Sequence, residues 1–176
     1  MVHIIYMAPL LIMYIKKYIF PKKVIVWRAR FCVRVGVAIC MNEYRPHILV
    51  FSTTFISDIA IDLAGLQHKD YPPTTTVIRL PCSSMIRPEY ILLAIESGFD
   101  GVFVAADGTD CPFRTDCTAV TAKRIEEAME LLKKHGYEPE RVKMAAICSV
   151  CVKPFIKLIN EFYEKLRKLG PVRRRG

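Results

Sequence analysis

Five cysteines are the residues of this chain best placed to do chemistry. Cys82 follows Val77-Ile78-Arg79-Leu80, Cys111 and Cys117 follow Gly101-Val102-Phe103-Val104-Ala105, and Cys148-Ser149-Val150-Cys151 follows Met144-Ala145-Ala146-Ile147. Each apolar run has the length of a buried strand, so each thiol stands just past a strand end. If the strands are parallel, their carboxyl ends line one edge, where open α/β sheets bind ligands. Thiolates gathered there suit a metal ion or an iron–sulfur cluster. Cys148-x-x-Cys151 is the sharpest local signal. Its spacing lets both sulfurs face one metal, and it also serves thiol–disulfide redox pairs. The competing reading is cysteine used as a small apolar residue, and it applies equally to Cys82.

The segment from Asp107 to Cys117 is long, polar and rich in turn formers, as functional loops are. Cys117 falls at the amino end of the next helix, where the helix dipole favours a thiolate. Asp116 is the expected N-cap. The loop aspartates are read as turn and cap residues in preference to ligands of a hard cation. His3, His47, His68 and His135 are scattered, and none is paired at ligand spacing. There is no Ser-His-Asp order, glycine-rich phosphate loop or Walker motif, so a self-contained catalytic site is not expected.

These residues need a scaffold, and the pattern supplies one. Strands are predicted over 47–52, 76–80, 101–105 and 142–147. Between and after them lie helices over 57–66, from Arg87-Pro88-Glu89 to Gly98, over 118–134 and over 153–169. Their apolar stripes are Ile59, Leu63 and Leu66; Ile91, Leu92 and Ile95; Ile125, Ala128, Met129 and Leu132; and Phe155, Leu158, Ile159, Phe162 and Leu166. Asp70-Tyr71-Pro72-Pro73, Gly98, His135-Gly136 and Gly170-Pro171 punctuate them. Strands alternating with helices predict a single α/β domain: a flavodoxin- or Rossmann-like parallel sheet of about four strands, with helices on both faces.

The net charge of +9 does not make this a nucleic-acid binder. Seven basic residues and no acidic ones fall in residues 1–40, and Arg173, Arg174 and Arg175 fall at the end. Setting those aside leaves 16 basic against 17 acidic residues in a near-neutral body. No basic stripe crosses that body. Seven cysteines, an odd count, without a cleavable signal segment argue for cytoplasmic thiol chemistry over a secreted disulfide scaffold. Residues 1–40 form a basic, apolar extension whose first run is too short to span a membrane. It reads as a membrane-surface segment, an added hairpin, or translation from upstream of the true start. The last is expected, with Met41 as the start, and Cys32 and Cys40 are assigned no role. The domain is then 41–172, with 173–176 as a basic tail.

Several segments in order resemble one family. They are Asp62-Leu63-Ala64-Gly65; Tyr71-Pro72-Pro73-Thr74-Thr75-Thr76-Val77-Ile78-Arg79-Leu80-Pro81-Cys82-Ser83; Gly98-Phe99-Asp100-Gly101-Val102-Phe103-Val104-Ala105; Gly136-Tyr137-Glu138-Pro139-Glu140-Arg141-Val142; and Leu169-Gly170-Pro171. Together they resemble the delta subunit of methyl-viologen-reducing hydrogenase, the hydrogenase iron–sulfur subunit family, over about residues 47–172. The resemblance implies a 2Fe–2S cluster and an electron relay between a nickel–iron hydrogenase and heterodisulfide reductase, or similar flavin-containing partners. It implies Cys82 and Cys111 as ligands. The family's Cys-x-x-Cys after the first strand is replaced by Thr53-Thr54-Phe55-Ile56, and the first cysteine of its later pair falls near Asp107. The expectation is a migrated ligand set, with Cys148, Cys151, Cys82 and either Cys111 or Cys117. Two other readings stay open: a cluster-less assembly or regulatory subunit, and a zinc or dithiol redox protein using Cys148 and Cys151.

Overall fold

Turn formers cut the body of the chain into segments joined by short connections, which favours strand–helix alternation over long excursions. The computed structural model describes residues 44–109 and 111–173. The expectations for residues 1–40, including Met41 as the start, and for 174–176 lie outside the described residues. The elements are β1 (Ile48–Thr53), α1 (Ser57–Leu66), β2 (Thr75–Leu80), α2 (Pro88–Glu96), β3 (Gly101–Ala106), α3 (Cys117–Lys134), β4 (Val142–Ala146) and α4 (Val152–Leu169). Short 3-10 turns at Ser83–Met85 and Pro139–Arg141 follow β2 and precede β4.

The strands form one parallel sheet in the order β2-β1-β3-β4. Side chains alternate across it. Ile48, Val50, Phe103 and Ala105 pack with Ala60, Ile61 and Ala64 of α1 and with Phe155, Ile159, Phe162 and Leu166 of α4. Leu49, Phe51, Val102 and Val104 are equally buried, facing the other way. On that side α2 and α3 pack against each other and against β3 and β4. The chain leaves β1 toward β2 but then steps back past it to β3 and β4. This reversal puts the topological switch point between the carboxyl ends of β1 and β3.

One predicted helix face is wrong. Of its three residues only Leu63 packs partly against the core; Ile59 is about half exposed and Leu66 largely so, and Ala60, Ile61 and Ala64 face the core instead. The cause is polar. Ser57 Oγ donates to the Ala105 carbonyl at 3.0 Å, and Asp58 accepts from Ser52 Oγ at 3.0 Å. Asp58 also pairs with Arg79 at 2.7 Å. These contacts fix the rotation of the first turn, and the alanines let α1 approach the sheet closely. The other stripes are seated as predicted in Ile91 and Ile95, in Ile125, Ala128 and Leu132, and in Phe155, Ile159, Phe162 and Leu166. Gly136, at φ +79°, ends α3 in the left-handed conformation glycine adopts freely.

Gly101 opens β3 beneath α4. A Cβ there would lie 2.5 and 2.9 Å from the terminal carbons of Leu166 and 2.9 Å from Phe162 Cζ. Both side chains are fully buried and have little room to turn away. Gly101→Ala is therefore expected to lower the unfolding free energy by about 1–3 kcal/mol, read from urea unfolding. Among the described residues, no helix is long and apolar enough to cross a membrane.

Candidate metal centre

The switch point is where the chemistry-bearing residues meet. Thr53 ends β1, Asp107 directly follows β3, and these strands are neighbours. Thr53 Oγ1 donates to Asp107 Oδ1 across the gap. Ser57, from the first turn of α1, holds Thr53 in place: the Thr53 N–H donates to Ser57 Oγ at 2.7 Å, and the Ser57 N–H donates to Thr53 Oγ1 at 3.2 Å. The other oxygen of Asp107, Oδ2, is buried without a hydrogen-bond partner.

Two loops bring three thiols to this carboxylate. Cys82 leaves β2 in an extended conformation just before the 83–85 turn. That turn sits against α3 and the ends of β1 and β3. Arg124, from α3, donates to the carbonyls of Ser84 and Ile86 and so clamps the turn. Cys117 is the first residue of α3, and Cys111 comes from the loop before it. Cys82 Sγ lies 3.1 Å from Cys117 Sγ and 3.5 Å from Cys111 Sγ. The three sulfurs and an Asp107 oxygen all lie within 4.8 Å of one another, and all four residues are buried.

The group is electrically uneven. Burial pushes the Cys82 thiol up to about 12, with Ser84 hydrogen bonds opposing and the Cys117 and Cys111 sulfurs adding. For Cys117, burial also pushes up. Hydrogen bonding from Ser83 and Cys82 and from the Ser84 backbone outweighs it and holds this thiol below its ordinary value. Ser83 Oγ is 3.1 Å from Cys117 Sγ, and Thr121 Oγ1 donates to Ser83 Oγ at 3.1 Å. Thr121 Oγ1 also reaches the Cys117 carbonyl at 2.8 Å, and the hydrogen bond from the Ser83 hydroxyl is the leading cause that lowers the Cys117 thiol. Cys117 is thus the more acidic of the two thiols, and Cys82 holds its proton more tightly. Burial raises the Asp107 carboxyl above its usual range, against the pull of Thr53 and Cys111. A compact set of buried thiols beside a carboxylate oxygen with no donor matches the ligand chemistry of a cation.

Of the five predicted thiols, three converge and two do not. Cys148 and Cys151 are bonded to each other in a disulfide with Cα atoms 5.0 Å apart. The Ile147 N–H to Ala106 carbonyl bond carries the chain past the sheet end, and the Cys151 N–H to Cys148 carbonyl bond closes a turn into α4. That helix covers the face opposite α3, whose first residue is Cys117, so this pair is led away from the other thiols. The Asp116 side chain makes no capping bond to the helix. Its carboxylate instead pairs with Arg114 at 2.7 and 2.8 Å. Asp107, which the sequence presents as a turn residue, sits inside the group. The signal that could have singled it out is an acid placed directly after an unbroken buried strand.

Fold and centre together define a doubly wound α/β protein with a buried thiol–carboxylate group at its switch point. Residues 48–170 match the model of a family described as methyl-viologen-reducing hydrogenase, delta subunit. An iron–sulfur subunit of the F420-non-reducing hydrogenase of Archaeoglobus profundus is 34% identical over 131 residues, covering 74% of this chain and 95% of that one. Its vhu counterpart in Methanopyrus kandleri is 33% identical over 114 residues, 64% of this chain and 86% of that one. A subunit of the ferredoxin/F420H2-dependent CoB–CoM heterodisulfide reductase of Methanosarcina acetivorans is 32% identical over 127 residues, 72% of this chain but only 16% of that larger protein. The chain belongs to the methyl-viologen-reducing hydrogenase delta subunit family.

Proposed function

We propose that this chain is an electron-transfer subunit joining a hydrogenase to a heterodisulfide-reductase-type partner. Cys82, Cys111 and Cys117 would hold an iron–sulfur cluster of the 2Fe–2S type. The convergence of three buried thiols at the switch point carries the reading. The relatives support the partners, because the same domain stands as a whole hydrogenase subunit in some and as one part of a heterodisulfide reductase chain in others. Bound there, such a cluster supplies one-electron transfer. The chain's own residues do the rest. Cys117 offers the more readily deprotonated thiol, Ser83 and Ser84 direct hydrogen bonds at sulfur, and the buried pocket excludes water, all of which set a potential. Phe55 and Phe113, with ring centroids 5.9 Å apart, line a shallow apolar cleft with Ile56 and Pro112 on the adjoining loops. Both rings are more than half exposed, so partner contact at these loops would bring electrons close to the centre.

Anaerobic purification and reconstitution, with iron, sulfide and zinc assays and a visible spectrum, test the proposal. A brown protein containing iron and sulfide is expected; a colourless, iron-free chain after reconstitution would end it. Zinc in the same ligands is a second reading, favoured by compactness. A tetrahedral ion with Zn–S bonds near 2.3 Å spaces its sulfurs by about 3.8 Å, and the three sulfurs here lie within 4.8 Å of one another. Zinc without sulfide would select it. Cys148→Ser with Cys151→Ser is expected to leave the spectrum and metal content unchanged. Loss of either would return these thiols to the ligand set.

A further inference from the structure

We propose that Asp107 is the fourth ligand of this centre, so that the site is built from three thiolates and one carboxylate, with Thr53 as the residue that positions the carboxylate. The inference rests on metal binding at the Cys82, Cys111 and Cys117 group. It adds a ligand that thiol spacing cannot reveal.

Three observations converge on Asp107. Its two oxygens have different fates: Oδ1 accepts from Thr53, whereas Oδ2 is buried and meets no donor. A buried carboxylate oxygen without a donor is costly and rare in folded proteins. An Asp107 oxygen also lies within 4.8 Å of all three sulfurs, the reach over which four side chains share one cation. Finally, the supporting bonds are rigid. Thr53 is locked at the end of a central strand by Ser57 in α1, and Ser57 in turn bonds the Ala105 carbonyl of β3. The Thr53 bond to Oδ1 thus fixes the carboxylate while Oδ2 stays free. Hydrogen bonds that orient a ligand in this way govern metal affinity nearly as strongly as the ligands themselves.

A hard oxygen beside three soft sulfurs gives the centre one position that exchanges more readily than the others. It also leaves the metal-free fold with one buried carboxylate oxygen, Oδ2, that meets no donor, a cost that the bound cation removes.

Titration of the metal-free full-length chain with cobalt(II) under anaerobic, reducing conditions tests this independently of cluster assembly. Sulfur-to-cobalt charge-transfer bands report the thiolates, and the ligand-field bands report tetrahedral geometry. Asp107→Asn, which keeps the shape, is expected to weaken cobalt binding by at least about tenfold. Asp107→Cys is expected to raise the charge-transfer intensity by about one third, four thiolates against three. Thr53→Val is expected to weaken binding about 10–100-fold, and Thr53→Ser to restore it. The metal-free Asp107→Asn chain should also melt at a higher temperature than wild type. A carboxylate with a purely structural role would lower that melting temperature on removal.

Unchanged affinity in Asp107→Asn, unchanged charge-transfer intensity in Asp107→Cys, or a lower melting temperature of metal-free Asp107→Asn would overturn the assignment. Failure to assemble iron and sulfide, with these cobalt effects intact, would instead sink the cluster reading and leave Asp107 as a ligand.

Discussion

Cys117→Ser is expected to fold and to lose its metal. Serine is close to cysteine in size, and its hydroxyl would sit beside Ser83 Oγ, which now lies 3.1 Å from the sulfur. The metal-free fold should therefore survive. A hydroxyl at that point stays protonated, so the helix amino end and the Ser83 proton would have no anion to stabilise. Structural four-ligand sites of this kind are worth roughly 10–16 kcal/mol, so one ligand in four is worth on the order of 3 kcal/mol, about 100-fold in affinity. Competition against a chelator measures it, and a thermal melt of the metal-free protein checks the fold. Cys82→Ser should cost a similar factor, with one difference. In the metal-free protein Cys82 keeps its proton up to about 12, so binding must expel that proton at neutral pH. Wild-type affinity should accordingly rise with pH through the neutral range, and Cys82→Ser should flatten part of that rise. Unchanged affinity in both variants would show that these thiols are not ligands.

The position of that centre was only half legible in the sequence. Apolar runs and glycine or proline breaks located every strand and α-helix among the described residues, because burial on both faces demands continuous apolar strands and the connections are short. Which thiols meet depends on strand order and on the face to which each connection turns, and neither is a local property. Cys82 and Cys117 meet because the chain steps from β2 past β1 to β3, which puts α2 and α3 on one face. Cys148 and Cys151 have the better local spacing but feed α4 on the other face, with Phe155 and Ile159 buried against the core there. The pair of positions Thr53 and Asp107 shows the same limit. Each is ordinary when read alone, and the hydrogen bond between them exists only because β1 and β3 are neighbours. Where the family resemblance puts a cysteine motif beginning at Thr53 and a further cysteine near Asp107, the chain has a donor and an acceptor that bond each other.

The α1 face failed for a related reason. Ile59 and Leu66 make a plausible stripe, but helix rotation is set by Ser57 and Asp58, which bond Ala105 and Ser52 at the sheet end. Polar anchoring near the switch point outweighs the larger apolar side chains, and Ile59 is left about half exposed near the loop that carries Phe55.

Arg141→Met is expected to do the opposite of Cys117→Ser: to destabilise the fold and spare the metal. Arg141 is fully buried before β4. Its Nε donates to Glu138 Oε2 at 2.7 Å, Nη1 to the Asp100 carbonyl and Nη2 to the Gly170 carbonyl, both at 3.0 Å. The guanidinium thus ties the start of β3 to the end of α4, and Asp100 extends the tie by accepting from the His47 N–H at 2.9 Å and the Val172 N–H at 3.3 Å. Methionine fills a similar volume but removes the Arg141 donor from the Glu138 carboxylate and from the Asp100 and Gly170 carbonyls. Removing one partner of a buried pair costs about 3–5 kcal/mol. Glu138 retains some exposure to water, which favours the lower end. A domain of this size has roughly 5–15 kcal/mol in all, so the metal-free chain should melt about 10 °C lower. Arg141→Lys should fall between the two, since an ammonium keeps the charge but cannot reach three acceptors in a planar fork. The tie lies at the amino ends of the strands, and the thiols lie at the carboxyl ends, a full strand length of about 20 Å away. Cobalt affinity of the folded fraction should therefore be unchanged. A variant that lost affinity at a temperature where it is fully folded would mean that the two ends of the sheet are coupled, and an unchanged melting temperature would mean that the three hydrogen bonds contribute nothing net.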